Sequence, residues 1–290
     1  MKKITIVGAG RVGETTAQIL AEQELCEEIL LVDVQPGLPQ GIALDVSQTA
    51  SFFGFDVRLA GSDDPAAMAG SDLVIVTAGV PRKPGMSRED VLDTNVRILD
   101  SILDDVLQHA ADAILLVVSN PVDTLTWRAW QRTGWERHRV FGQAGVLDSS
   151  RMASFIAAET GFSSRDITTL VLGGHGDAMV PVPRLCTING IPVTRFIAPD
   201  RLDAIIERTR DGGAEILGLR KNSSAYNAPA TSIAAMVDAI ASGRRRILPC
   251  VAILEGEYGY RDIAMGVPCI LGHGGLESVV ELDLDEGETA

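Results

Sequence analysis

Cysteine is scarce in this 290-residue chain, and what there is lies scattered. Cys26, Cys186, Cys250 and Cys269 form no CxxC pair and have no histidine at metal-ligand spacing, so no metal site is expected and the thiols should be buried and reduced. Long apolar runs are missing too. The longest, such as residues 113–118 (AILLVV), are far too short to span a bilayer, and each is followed by polar or turn residues. The first residues, MKKITIVG, pass directly into a strand pattern without a leader's apolar stretch and cleavage site, so a cytoplasmic address is expected. Cations are outnumbered: 25 Lys and Arg stand against 39 Asp and Glu, a net charge of -14. Such a field repels nucleic acid and anionic membrane surfaces, and neither is expected as a partner. Internal repeats and low-complexity tracts are also lacking.

What is present is apolar sequence sufficient for a sizeable core, 46% of the chain, in a length that suggests two domains. Residues 3–7 form a short β-branched run. Gly8-Ala9-Gly10-Arg11-Val12-Gly13 then opens an amphipathic stretch through Glu22, and residues 28–34 read as a second buried strand holding Asp33, twenty residues after Gly13. Strand, glycine turn, helix and an acid at that distance together point to a dinucleotide site, against the plainer reading of a structural glycine turn with a strand-end acid. Gly8 permits the tight turn, Gly10 lets a pyrophosphate reach the backbone, and Gly13 lets helix and strand pack. Phosphate would meet the positive end of the helix. A carboxylate at Asp33 suits the ribose hydroxyls of NAD and repels the extra phosphate of NADP, so NAD is the expected cofactor.

Further strands at 55–59, 73–77 and 113–118 alternate with helical stretches, which predicts a Rossmann-type doubly wound parallel sheet over residues 1–140. In such sheets the residues just beyond the strands face ligand. Thr77-Ala78-Gly79 and Ser119-Asn120-Pro121 occupy those positions and read either as dinucleotide contacts or as plain loop triplets; Asn120 offers an amide to a substrate oxygen. Residues 79–88 carry two prolines, two glycines and three cations ahead of a helix at 89–108. This loop suits a lid that carries Arg82 and Arg88 over the crevice, or a solvated basic loop. A positive patch there, in so acidic a chain, favours an anionic substrate.

Beyond residue 140 the alternation gives way to mixed elements, expected to form a second, α+β domain over residues 141–290. Helices are expected at about 147–159, 200–219 and 223–240, and strands at 247–254, 262–271 and 277–284, making a largely antiparallel sheet. The acidic finish, residues 281–288, reads as a solvated edge and tail. Asp148 and Arg151, three apart, share one helical face. They fit an N-cap acid with a local ion pair, or an acid that orients an imidazole beside a guanidinium that grips a carboxylate. The imidazole to consider is His175, between Gly174 and Gly176 at the end of an apolar run, where a substrate could come close to a ring suited to general acid/base work. A turn histidine fits that stretch equally well when it is taken alone.

These residues, in this order and over nearly the whole chain, resemble the lactate/malate dehydrogenase family, and within it the lactate-dehydrogenase-like malate dehydrogenases. Gly8 to Gly13 and Asp33 match the family's NAD site, Thr77-Ala78-Gly79 the next cofactor contact, Asn95 a contact at the base of the lid helix, and Val118-Ser119-Asn120 a strand-end contact shared with substrate. Asp148 and Arg151 match its aspartate–arginine pair, and Gly174-His175-Gly176-Asp177 its catalytic histidine motif. The resemblance implies reversible hydride transfer between malate and NAD. In that chemistry His175 is the general base and acid, Asp148 orients it, and Arg151 holds the carboxylate beside the reacting carbon. Arg82 holds the distal carboxylate and Arg88 polarises the carbonyl oxygen. Arg82 stands where lactate dehydrogenases carry glutamine, and Ala225 where they tend to carry threonine, so malate and oxaloacetate are the expected substrate pair. A homodimer or homotetramer is implied as well. Two departures stand out: Tyr226-Asn227 replaces a tyrosine pair, and the chain ends at Ala290 where members add a long helix. Two readings therefore remain beside it: a lactate or other 2-hydroxyacid dehydrogenase, and a dinucleotide binder without catalysis.

Overall fold

The computed structural model describes residues 1–80, 88–176 and 178–289, with the backbone alone for 88–90 and 289. The first half of the chain forms β1 (Lys3–Val7), α1 (Arg11–Glu22), β2 (Glu28–Val32), α2 (Leu38–Gln48), α3 (Ala50–Phe53), β3 (Arg58–Ser62), β4 (Leu73–Val76), α4 (Arg88–His109), β5 (Ile114–Val117), α5 (Val122–Thr133) and β6 (Val140–Gly142). There follow α6 (Gly145–Thr160), β7 (Ile167–Thr168), β8 (Val171–Gly173), β9 (Met179–Pro181), β10 (Thr187–Ile188) and β11 (Ile191–Pro192). The chain then runs through α7 (Pro199–Arg220), α8 (Asn227–Ala241), β12 (Arg246–Glu255), β13 (Arg261–Gly272), β14 (Gly275–Val279) and α9 (Glu286–Thr289).

Strands β3-β2-β1-β4-β5-β6 lie side by side and all run parallel. Unbroken apolar runs such as Leu73–Val76 and Ile114–Val117 demand cover on both faces, which a parallel sheet between helices provides. The order reverses between β1 and β4, so the crevice beyond their carboxyl ends is the place for a ligand. The expected antiparallel part is present and continues the same sheet: β12 joins β6 through Val251 and Gly142, and β13, β8 and β9 follow. One core runs through both parts, with Leu20 of α1, Val237 of α8 and Leu254 of β12 fully buried in it. At roughly 1.5–3 kcal/mol per such side chain, this packing fixes α1 against α8 and with it the glycine turn. A separate cluster under α6 and α7 includes Met152, Ile156, Leu202 and Ile205.

All four cysteines are buried and free, and burial pushes the Cys26 thiol up to about 12 and Cys186 to about 11. Three expectations need correcting. The strand placed at 55–59 begins at Arg58, although Phe55 and Val57 are buried ahead of it. The strand placed at 277–284 ends at Val279, because the Tyr258 hydroxyl donates to the Val280 carbonyl at 3.0 Å and accepts from the Leu282 N–H at 3.1 Å, replacing a ladder partner. The acidic finish is not simply solvated. The guanidinium of Arg184 clamps both carboxylate oxygens of Glu288 at 2.9 Å and also reaches the Asp283 carbonyl, and the Glu288 side chain is only 9% exposed.

A second ion pair makes a testable contribution to stability. Burial opposes charge at Glu257, but the Arg137 guanidinium at 2.7 Å and the Glu255 N–H outweigh it and hold the carboxyl at about 2, below its ordinary 4.5. A depressed carboxylate stabilises the fold above pH 4.5 and loses that contribution as pH falls towards 2. Glu257→Gln should therefore lower stability at pH 7 by about 1–2 kcal/mol, after allowance for solvent screening. Chemical unfolding of both proteins across pH should show the gap closing between about 4.5 and 2.

Candidate active site

The glycine turn after β1 is built as its spacing implies. Gly8 has φ 109°, and a Cβ there would meet the Ala78 nitrogen at 2.5 Å. A Cβ at Gly13 would run into the Gly8 carbonyl oxygen, whereas nothing lies within 4 Å of the place a Cβ on Gly10 would occupy. Gly10 is also the N-cap of α1 and supplies no side-chain partner to the first-turn N–H groups contributed by Arg11, Val12 and Gly13. Open space beside uncapped amides suits a pyrophosphate. Asp33, just beyond β2, accepts the Ala9 N–H at 2.7 Å and the Gln35 N–H at 3.0 Å, which holds its carboxylate beside the turn. These residues fit NAD.

The other strand ends converge on the same crevice. The Thr77 hydroxyl donates to the Gly8 carbonyl at 2.9 Å, and the Ser119 hydroxyl to the Ala78 carbonyl at 2.5 Å. Val118, in line with β5, is 8% exposed and donates its N–H to the Val76 carbonyl. Asn95 of α4 is buried beneath Gly79. Its amide accepts the Val80 N–H at 2.8 Å and donates to the carbonyls of Val80 at 3.2 Å and Asn120 at 2.7 Å, stapling the loop after β4 to the loop after β5. Asn120 itself is exposed, and its side-chain amide bonds to nothing among the described residues.

A histidine–aspartate–arginine cluster comes from α6 and the loop after β8. Asp148 lies inside the first turn of α6, whose N-cap is Ala144, so it is not an N-cap residue. It is 1% exposed and divides its oxygens: Oδ2 sits 2.9 Å from His175 Nδ1, and Oδ1 accepts from Arg151 Nη1 at 3.0 Å. An ionised carboxylate only accepts, so Nδ1 carries the proton and Nε2 is left as the basic nitrogen. The Arg151 side chain is 11% exposed, burial works against its charge more than Asp148 supports it, and Nε is buried without a partner among the described residues. Gly212 and Gly213 of α7 make room for this guanidinium; Cβ atoms there would lie 3.2 Å from Cδ and 3.7 Å from Nη2. Two glycines inside a helix disfavour it by about 1 kcal/mol each, so the room they leave is the better reason for them.

Both glycines beside His175 were expected to open the ring to a substrate. Only Gly176, with φ 110° and nothing among the described residues within 4 Å, does so. Gly174 faces inward, where a Cβ would crowd Ala178 at 3.2 Å and lie 3.7 Å from Asp123 Oδ2. Asp123 is a contact that sequence reasoning missed: Oδ2 accepts the His175 main-chain N–H at 3.0 Å. An acid in the first turn of a helix reads from sequence as a partner of the helix dipole, which hides this role. The ring of Tyr226, one of the two departures, has the guanidinium groups of Arg220 at 4.2 Å and Arg11 at 5.4 Å, and the Arg220 hydrogen bond pulls its hydroxyl below the ordinary range. Arg82 and Asp177 lie outside the described residues, as does most of the expected lid. Arg88 opens α4, with only its backbone described.

Residues 2–142 match the lactate/malate dehydrogenase NAD binding domain, and residues 145–290 the lactate/malate dehydrogenase alpha/beta C-terminal domain. The chain is 65% identical over 288 residues to a malate dehydrogenase of Thioalkalivibrio sulfidiphilus, covering 99% of this chain and 94% of that one. Among solved structures, the malate dehydrogenase from Salinibacter ruber superposes with a TM-score of 0.95 at 43% identity, covering 99% of this chain and 92% of that one. The lactate dehydrogenase of Cryptosporidium parvum, complexed with lactic acid and nicotinamide adenine dinucleotide, gives the same TM-score at 36% identity and the same coverage. With both halves matched and a relative this similar along the whole length, the chain belongs to the lactate/malate dehydrogenase family.

Proposed function

We propose that this chain is an NAD-dependent malate dehydrogenase that interconverts (S)-malate and oxaloacetate. One observation carries the reading: the buried Asp148 carboxylate bridges His175 and Arg151, so a proton-transferring ring and a carboxylate-gripping guanidinium share a single support. The substrate carboxylate next to the reacting carbon takes the bonding capacity that Arg151 leaves unused beyond Asp148. His175 Nε2 then faces the hydroxyl. During malate oxidation it takes the hydroxyl proton and becomes imidazolium, which Asp148 stabilises; during oxaloacetate reduction it returns that proton. Bound NAD supplies the hydride acceptor, and its reduced form the donor. Gly8 to Gly13, Asp33, Thr77 to Gly79, Asn95 and Val118 to Asn120 hold it, with the Asn120 amide also reaching substrate.

Arg82 and Arg88 complete this reading. Arg82 meets the distal carboxylate, and Arg88 stabilises charge on the carbonyl oxygen as it develops. In this reading Arg82 is the deciding residue, since a guanidinium facing pyruvate's methyl group would be desolvated without a partner. Arg82→Gln should lower the preference for oxaloacetate over pyruvate, measured as the ratio of kcat/KM values, by about tenfold or more. An unchanged ratio removes Arg82 from substrate choice and favours the lactate-type reading.

The reading also places the chain in the cytoplasm, in the tricarboxylic acid cycle, as two domains meeting near residue 140. Among the described residues no helix is long and apolar enough to cross a membrane. A homodimer or homotetramer belongs to it as well. The observation in support is an apolar face on α2 and α3, where Leu44, Phe52 and Phe53 are 62%, 88% and 56% exposed, which a second copy would cover.

A further inference from the structure

His175 is held at two points by carboxylates from two different elements. Asp148 of α6 takes its ring, and Asp123 of α5 takes its main-chain N–H. The helix dipole does not account for Asp123. An acid in the first turn of α5 would gain that interaction while facing solvent, yet Oδ1 of Asp123 is buried with no hydrogen-bond partner among the described residues and Oδ2 lies close behind Gly174. Burial pushes this carboxyl above the ordinary range, against the opposing pull of the His175 N–H. The loop it holds needs holding. Gly173 and Gly176 flank it with φ of 76° and 110°, and among the described residues its other main-chain bonds, Gly174 N–H to the Ala178 carbonyl and Met179 N–H to the Gly176 carbonyl, stay within the loop itself.

We infer that Asp123 is a positioning residue for the acid/base group. By accepting the His175 N–H, it ties the histidine loop to the β5 end that carries Asn120, three residues before it in the chain. The imidazole is thereby registered against the nucleotide-binding half as well as against α6. That register matters because the hydride and the proton leave the same carbon–oxygen unit towards groups held by different halves of the chain. Misplacement of a reacting group by about 1 Å lowers turnover by about 10²-fold. The effect on turnover rests on the dehydrogenase reading, while the anchor does not.

Asp123→Ala removes the acceptor, and Asp123→Asn keeps one. With histidines labelled by nitrogen-15, hydrogen exchange at the His175 amide reads the anchor directly, whether or not the protein turns oxaloacetate over. The expected result for Asp123→Ala is exchange at least about tenfold faster at His175. In the same variant kcat should fall about 10²-fold, with KM for oxaloacetate and NADH affinity within about threefold of the unmodified chain, because Arg151 and the glycine turn are untouched. Asp123→Asn should restore most of both losses. The inference is overturned if Asp123→Ala leaves exchange and kcat unchanged, or if Asn and Ala lower kcat equally with the amide equally protected in both. Should Asp123→Ala fail to fold, a His175 amide in the unmodified chain that exchanges as fast as an exposed loop amide overturns it without any variant.

Discussion

His175→Asn should lower kcat for NADH-dependent reduction of oxaloacetate by about 10³-fold or more, with NADH affinity within about twofold. Asparagine keeps a polar side chain between Gly174 and Gly176 but cannot carry a proton at neutral pH. General acid/base catalysis contributes about 10²–10⁴-fold, and the Asp148 carboxylate, 2.9 Å away, adds stabilisation of an imidazolium that the variant never forms. The substrate still meets Arg151, so the loss belongs in kcat more than in KM. Single-turnover reduction separates the chemical step from product release. A loss smaller than tenfold would remove His175 from proton transfer.

Arg151→Lys should lower kcat/KM for oxaloacetate by about 10²–10³-fold, mostly through KM. One arm of the Arg151 guanidinium is committed to Asp148 at 3.0 Å, and Nε is buried with no partner among the described residues, so the side chain has donors in reserve for an anion. A single ammonium cannot serve Asp148 and clamp a carboxylate in two parallel bonds. If lysine turns towards the substrate, Asp148 loses its countercharge and its hold on His175 shifts, so a smaller fall in kcat accompanies the rise in KM. A Cβ at Gly213 would come into ordinary van der Waals contact with Nη2, at 3.7 Å. A KM within threefold of the unmodified chain for Arg151→Lys would contradict the assignment.

The nucleotide-binding half was legible because its signals are local. Buried apolar strands, glycines at fixed spacing and Asp33 at the next strand end each report their own neighbourhood, and the structure places them as the spacing implies. The acid/base group was less so. Asp148 and Arg151 looked as much like a helix-start ion pair as like a site, and only folding puts β8 beside α6 and brings His175 against them. Asp123 could not be singled out, since what distinguishes it is one main-chain bond across 52 residues. The stretch from Val280 to Leu284 failed for a different reason. Its apolar residues do alternate in burial, but a tyrosine hydroxyl occupies the backbone groups that a neighbouring strand would use.

The central claim, that one buried aspartate sets a proton-transferring histidine beside a carboxylate-gripping arginine in an NAD-dependent enzyme, meets its most direct test in NADH oxidation followed by absorbance. Oxaloacetate and pyruvate are supplied in parallel, at matched concentrations, to the unmodified chain. The account predicts rapid loss of NADH with oxaloacetate and little with pyruvate. Rapid loss with pyruvate would contradict the substrate assignment, and NADH binding without oxidation by either would contradict the catalytic one.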